Sequence, residues 1–455
     1  MLQQLAAMRQ YFTTGATLPI AARKQALKSL KKAILQHEHE LYQALYTDLK
    51  KIPEECWATE LGVVLSEINL MLKNLDVWMA DEQVRTNLLN WPGSSRIVKE
   101  PLGVVLIIAP WNYPFNLLFT PMAGALAAGN VVVVKPSEFA PATAAITQQI
   151  IQEVFVPELV SCVMGEGAQV IPTMMKNFVF DHVFYTGSTA VGKIIYQMAA
   201  ENLVPVTLEL GGKSPAVVEE DADIKVAARR IALPKFSNAG QMCIAPDYVL
   251  VHHSKKEAFV AALIQATEQF YGKDPANSYG YNKIINHRQF DRLLTYLTDG
   301  KIVYGGQYNR EQLYLQPTLL TDVAPDAQVM KEEIFGPILP ILTYHNRQEA
   351  LDCIARNKNP LAFYIFTSST ANEKKWLQEV PAGGAGVNVA ALQFTNHHLP
   401  FGGRGFSGTG AYHGKASFNL FSHQKSVLKS PTWLDPDTKY PPIKGKLKLL
   451  KWVVG

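Results

Sequence analysis

A cysteine set behind a turn of small residues is the first candidate for chemistry: Asn238-Ala239-Gly240-Gln241-Met242-Cys243-Ile244-Ala245-Pro246. Such a turn can give a thiol access, and a nucleophilic cysteine also needs a lowered pKa, because the thiolate is the reactive form. Cys56, Cys162 and Cys353 lack that setting and read as small buried apolar residues. Covalent chemistry on sulfur also calls for a base. Glu209 closes the apolar run before Gly211-Gly212, where burial would raise its pKa into a useful range and the glycines would allow close backbone approach. Asn112, in Ala109-Pro110-Trp111-Asn112-Tyr113-Pro114, offers an amide that could hold a developing alkoxide together with the backbone N–H of Cys243. Each also has a plainer reading taken alone: a buried thiol, a glutamate facing solvent at a sheet edge, an asparagine in an Asx turn.

A second group of residues suits a dinucleotide. Phe184-Tyr185-Thr186-Gly187-Ser188-Thr189-Ala190-Val191-Gly192-Lys193 reads as a strand, a glycine turn and a helix start, where free N–H groups attract phosphate. It nearly matches a nucleoside-triphosphate loop, but Ile194 stands where a magnesium-binding hydroxyl is needed, so a diphosphate suits it better. An ordinary strand-to-helix turn is the even alternative. Lys135 and Glu138 follow the apolar run Val131–Val134, where they would hydrogen-bond ribose hydroxyls; a surface charge pair is the plainer reading. A formal Gly-x-Gly-x-x-Gly at Gly403, Gly405 and Gly408 follows no buried strand and reads as a loop. Adjacent His252-His253 and His397-His398 rarely aim at one metal, and His37 and His39 fall on different helix faces, so no metal site is expected.

The elements that must position these residues follow from periodicity. From Ile20 to Ala80 the pattern is helical, with Leu27, Leu30, Ile34 and Leu35 sharing a segment with Arg23, Lys24, Lys28, Lys31 and Lys32, whose charges read as a solvated face. Beyond Leu102, apolar runs at 104–109, 131–134, 179–185 and 204–210 alternate with helical stretches at 117–128, 142–154 and 191–200. Strands apolar on both faces and joined by helices predict an α/β fold with an open parallel sheet. A second α/β lobe begins near Ser214, with a strand at 215–218 and a helix at 222–233.

Composition narrows the class. The chain has 455 residues, 48% of them hydrophobic, enough for more than one compact lobe. Net charge is +4 and dispersed, which argues against nucleic-acid binding. The four cysteines form no Cys-x-x-Cys pair, the first twelve residues are too polar for a signal peptide, and no apolar run approaches the ~20 residues of a spanning helix, so a reducing cytoplasmic setting is expected.

Taken together the motifs resemble the aldehyde dehydrogenase superfamily over roughly Leu27 to Leu428. The elements that carry the likeness are Pro110–Pro114, Lys135–Glu138, Thr186–Thr189, Glu209–Lys213, Gly240-Gln241-Met242-Cys243 and Glu332-Glu333-Ile334-Phe335-Gly336-Pro337. Cys243–Tyr248, Pro400–Gly403 and Ser407–Gly414 look like the class 3 branch. The resemblance implies an NAD(P)-dependent enzyme that oxidises medium- or long-chain aliphatic or aromatic aldehydes to carboxylic acids through a thioester on Cys243, with Glu209 as general base and Asn112 in the oxyanion hole. It implies that Lys135 and Glu138 hold the adenosine ribose, Gly187 and Ser188 the diphosphate, with Gly192 closing that turn. Glu333 would hold the nicotinamide ribose and Phe335 would pack near the ring. Glu138 favours NAD by repelling a 2′-phosphate, with NADP also accepted. Met242 departs from the small or β-branched residue common at that place and leaves substrate size open.

On this reading residues 1–80 and 101–208 form the dinucleotide-binding domain, 209–395 the catalytic domain, 81–100 and 396–430 a bridging and oligomerisation segment, and 431–455 a tail. The expected partners are an aldehyde, through an apolar tunnel near Trp111, Tyr113 and Phe394, and a second copy of the chain. The basic amphipathic tail is expected to pack on the protein, with at most peripheral membrane contact. A cofactor-independent thiol esterase and a structural or binding protein are the alternatives.

Overall fold

The computed structural model describes residues 1–454; Gly455, the last residue of the tail, lies outside the described residues. Two sheets dominate. The first has six strands in the order Gly408–Thr409, Val206–Glu209, His182–Thr186, Val104–Ile108, Val131–Lys135, Val160–Cys162, all parallel except the first. Its strands alternate between two cores. Val105, Ile107, Val132 and Val134 face the helices Ile20–Gln36, Gly62–Met79 and Asn116–Ala128, while Val104, Leu106, Val131 and Val133 face Leu2–Thr13, Gly167–Asn177 and Thr189–Ala200. Side chains on a strand point alternately to opposite faces, so continuous apolar runs are what a sheet covered on both sides requires.

The second sheet has seven strands in the order Lys301–Tyr304, Thr318–Thr321, Ile338–Tyr344, Tyr248–His252, Pro215–Val218, Ala362–Phe366, Gly384–Val387, parallel apart from the first. A third, antiparallel sheet joins Glu82–Val84, Ser94–Pro101 and Ser422–Lys429, with the last strand at an edge.

The expected α/β architecture is present, and its elements fall within a few residues of the periodic segments. The tail forms the helix Leu447–Val454 against the turn Leu88–Asn90. One expectation is overturned. Arg23 does not belong to a solvated face: it is buried, and its guanidinium donates to Thr17 O, Ala127 O and Ala128 O. It caps the carbonyl end of the helix Asn116–Ala128, where a cation is favoured, and it lies one turn before Leu27 on the buried stripe that Leu30 and Ile34 continue.

Candidate active site

Four neighbouring parallel strands bring the candidate residues to one edge. Asn112 lies beyond Val104–Ile108, Lys135 ends Val131–Lys135, Thr186 ends His182–Thr186, and Glu209 ends Val206–Glu209. The carboxyl ends of an open parallel sheet are where its loops leave a crevice.

Cys243 arrives from the other lobe. Its loop begins with three consecutive residues at positive φ: Asn238 at 50°, Ala239 at 50° and Gly240 at 73°. Positive φ costs non-glycine residues about 1–2 kcal/mol each, so the turn needs external support. Asn238 Nδ2 supplies it by donating to Asn112 O at 2.8 Å and Gln241 O at 3.1 Å. Gln241 Nε2 donates to Asn238 O at 2.9 Å, and its Oε1 accepts from Ile285 N–H at 3.0 Å. Gly240 is required because a Cβ there would lie 2.3 Å from Gly336 O. This close approach sets the cysteine loop against the Glu333–Phe335 loop. Asn112 closes the arrangement by donating Nδ2 to Gln241 O at 3.0 Å.

Two cavities meet at these residues. The larger, with about 1090 Å³ of empty space, is walled by Trp111, Asn112, Gly187, Ser188, Glu333 and Phe335 among others. The smaller is lined almost wholly by apolar surface, including Tyr113, Met242, Phe394, Phe401 and Tyr412. Glu209 and Cys243 border both. Of the aromatic residues expected around one tunnel, Tyr113 and Phe394 line the apolar pocket. Trp111 instead lies in the larger cleft, edge-on to Phe335 with ring centroids 5.3 Å apart.

Glu209 is 2% exposed, and neither carboxylate oxygen has a hydrogen-bond partner. Burial therefore holds its pKa well above the ordinary carboxylate value. The expectation of a depressed thiol pKa is reversed. Burial first, then the charges of Glu333 and Glu209, push the Cys243 thiol up. Among the described residues no lysine or histidine is hydrogen-bonded to the thiol, so its ionisation depends on a proton acceptor at the site rather than on a standing cation.

The larger cleft fits a dinucleotide on its own features. Ser188 caps the helix Thr189–Ala200, accepting from Val191 N–H at 3.4 Å, and Ser188, Thr189 and Ala190 all border the cleft. First-turn N–H groups have no intrahelical partner and favour phosphate. Gly187 and Gly211 stand where no side chain fits, on the wall of the cleft: a Cβ at Gly187 would meet Tyr185 Oη at 2.3 Å, and one at Gly211 would meet the Glu333 carboxylate at 1.8 Å. Burial raises the pKa of Glu333 as well.

The remaining candidates lie off the cleft wall. Lys135 and Glu138 form an ion pair, and Glu138 Oε1 accepts from Gly167 N–H at 2.8 Å. Gly192 is buried within its helix, where a Cβ would meet Leu210 at 2.7 Å, so it sets helix-to-strand spacing below the turn. The sequence analysis did not single out His413 or Thr186 individually. His413 Nδ1 hydrogen-bonds to the buried Glu67 at 3.1 Å, and the Thr186 hydroxyl has no partner. Both line the apolar pocket. Among the described residues no group of three or more His, Cys, Asp or Glu side chains is arranged to hold a metal ion.

Comparison with known proteins gives a consistent result. Residues 2–427 match the aldehyde dehydrogenase family. The chain is 45% identical to 4,4'-diaponeurosporen-aldehyde dehydrogenase of Staphylococcus aureus, over 97% of this chain and 96% of that protein. It is 44% identical to aldehyde dehydrogenase family 3 member H1 of Arabidopsis thaliana, over 98% and 93%. A solved structure described as the substrate-bound state of Staphylococcus aureus AldH superposes with a TM-score of 0.97 at 44% identity, covering 99% of this chain and 98% of that one.

Proposed function

Because the chain belongs to the aldehyde dehydrogenase family, with family 3 members among its relatives, we propose that it oxidises apolar aldehydes to carboxylic acids through a covalent thioester on Cys243. The observation that carries this reading is that Cys243 and Glu209 border both a larger cleft beside a helix N-terminus and an apolar pocket. A thiol esterase would have no use for the larger cleft.

In this reading the Cys243 thiolate, its proton passed to solvent through the cleft, attacks the aldehyde carbon. Asn112 Nδ2 and the Cys243 N–H hold the resulting oxyanion. Bound NAD or NADP supplies the two-electron acceptor for the hydride that must leave that carbon. Glu209, its proton released, then activates water against the thioester; the carbon–sulfur bond breaks, and the acid departs. Glu333 would hold the nicotinamide ribose, with Phe335 beside the ring. Gly187 and Ser188 would hold the diphosphate, Lys135 and Glu138 the adenosine ribose, and Gly192 would keep that helix close to the sheet. The domain division given above, 1–80 with 101–208 against 209–395, suits this arrangement.

The apolar lining favours aliphatic or aromatic aldehydes. A homodimer is proposed on the edge strand Ser422–Lys429, whose outer backbone groups a second copy would pair. The four cysteines are unpaired, in keeping with a cytoplasmic setting, and no helix among the described residues is long and apolar enough to cross a membrane. Cys243→Ala tests the central claim. Aldehyde oxidation should vanish while NAD still quenches protein fluorescence on titration, and retained oxidation would refute the assignment.

A further inference from the structure

Behind Asn112 lies an ion pair that the reaction scheme leaves unused. Lys51 and Glu60 both have side chains at 0% exposure, with Lys51 Nζ 2.5 Å from Glu60 Oε1. A buried pair of this kind is a poor source of net stability, because desolvation of both ions offsets their attraction. Its hydrogen bonds indicate another use. Lys51 Nζ also donates to Asn112 O at 3.0 Å and stands 3.8 Å from the centroid of the Tyr113 ring. The other oxygen of Glu60 accepts from Asn116 N–H at 2.8 Å. Ammonium and carboxylate together therefore grip the loop 112–116 at both ends.

Local structure is shaped to put both groups there. Lys50, at φ 57°, ends the helix Glu38–Leu49 and turns the chain inward at Lys51. Glu60 sits in a π-helical turn, Trp57–Leu61, within an otherwise α-helical stretch. The extra residue in that turn rotates Glu60 into the interior, while Thr59 lines the apolar pocket. The Asn112 carbonyl held by Lys51 is the one that also receives Asn238 Nδ2, from the turn leading to Cys243. One carbonyl is thus the shared anchor of the oxyanion loop and the nucleophile loop.

We propose that Lys51, held by Glu60, is a positioning residue that sets the Asn112 amide relative to Cys243 for oxyanion stabilisation. The proposal rests on the reading of Asn112 as an oxyanion donor. Displacement of a reacting group by about 1 Å can lower a rate about a hundredfold, so a brace on this loop acts on turnover rather than on cofactor affinity.

The test is a double-mutant cycle on the purified full-length chain. Lys51→Met should lower kcat by roughly ten- to a hundredfold, with NAD binding by fluorescence titration unchanged. In an Asn112→Ala background the same substitution should change kcat by less than about threefold, because its target is already gone. Lys51→Met alone leaves a buried carboxylate unpaired and endangers folding. Lys51→Met combined with Glu60→Gln removes both charges at similar volume and should fold, yet still lose kcat, because the Asn112 carbonyl keeps Asn238 but has lost the donor that ties it to the helix bearing Glu60. Full multiplicative loss in the Asn112→Ala background, or wild-type kcat in the charge-free pair, would overturn the brace. Wild-type kcat for Asn112→Ala alone would instead overturn the oxyanion reading on which it rests.

Discussion

Asn112 Nδ2 donates to the Gln241 carbonyl at 3.0 Å, joining a loop of the first sheet to the loop that carries Cys243. An amide has two N–H bonds, and one is used here to fix the side chain. The other is left for a charge that develops beside the sulfur. Asn112→Ala should lower kcat about a hundredfold, the usual cost of removing one oxyanion donor. Steady-state rates set against an unchanged NAD titration will separate this effect from a loss of cofactor binding.

Glu209→Gln keeps the volume of the side chain and removes its basicity. The variant should release a single burst of reduced cofactor and then stall at the thioester, seen by stopped-flow absorbance. Undiminished steady turnover would exclude Glu209 as the water-activating base.

Burial raises the proton affinity of both Glu209 and Cys243. Their reactive, deprotonated forms therefore become populated as pH rises, and kcat/KM should climb from neutral into alkaline pH. A profile that instead falls over that range would mean that neither group needs to lose a proton.

Glu138 is already paired with Lys135 in the protein itself. Glu138→Gln should raise the ratio of kcat/KM for NADP over NAD by roughly tenfold, the equivalent of ~1.4 kcal/mol of relieved repulsion at a 2′-phosphate. An unchanged ratio would place the 2′ position elsewhere.

His37 joins two helices to a third: its ring nitrogens lie 2.7 Å from Glu153 and 2.5 Å from Glu40. Bonding to Glu153, aided by Glu40, raises its pKa above the ordinary 6.5. A histidine raised in the folded state contributes stability that is complete below its unfolded pKa and is lost as pH rises through the folded one. The urea midpoint should accordingly fall as pH rises above the ordinary histidine range, and His37→Gln should flatten that component. An equal slope in the variant would assign it to other groups.

Much of the site was readable in the chain because its parts are local. Thr186–Thr189, Glu209–Lys213 and Gly240–Cys243 each carry their own geometry in glycine placement and apolar flanks. Apolar runs of five residues between helical stretches likewise specify strands buried on both faces. Such patterns fix element type, and from it the carboxyl edge where Asn112, Lys135, Thr186 and Glu209 fall.

Other features belong to the fold alone. Lys51 looks in sequence like any surface cation, and Arg23 opens a basic run although it is in register with Leu27 and Leu30; both are buried, because each meets acceptors brought from far along the chain. The sequence alone also offered one tunnel where the structure has two cavities meeting at Cys243, with Trp111 on one side and Tyr113 on the other. The raised proton affinity of the thiol follows first from burial and then from Glu333 and Glu209, both more than thirty residues distant in sequence. Short-range periodicity decides what a segment becomes. Desolvation and charge depend on neighbours in space, and those exist only once the segments have packed.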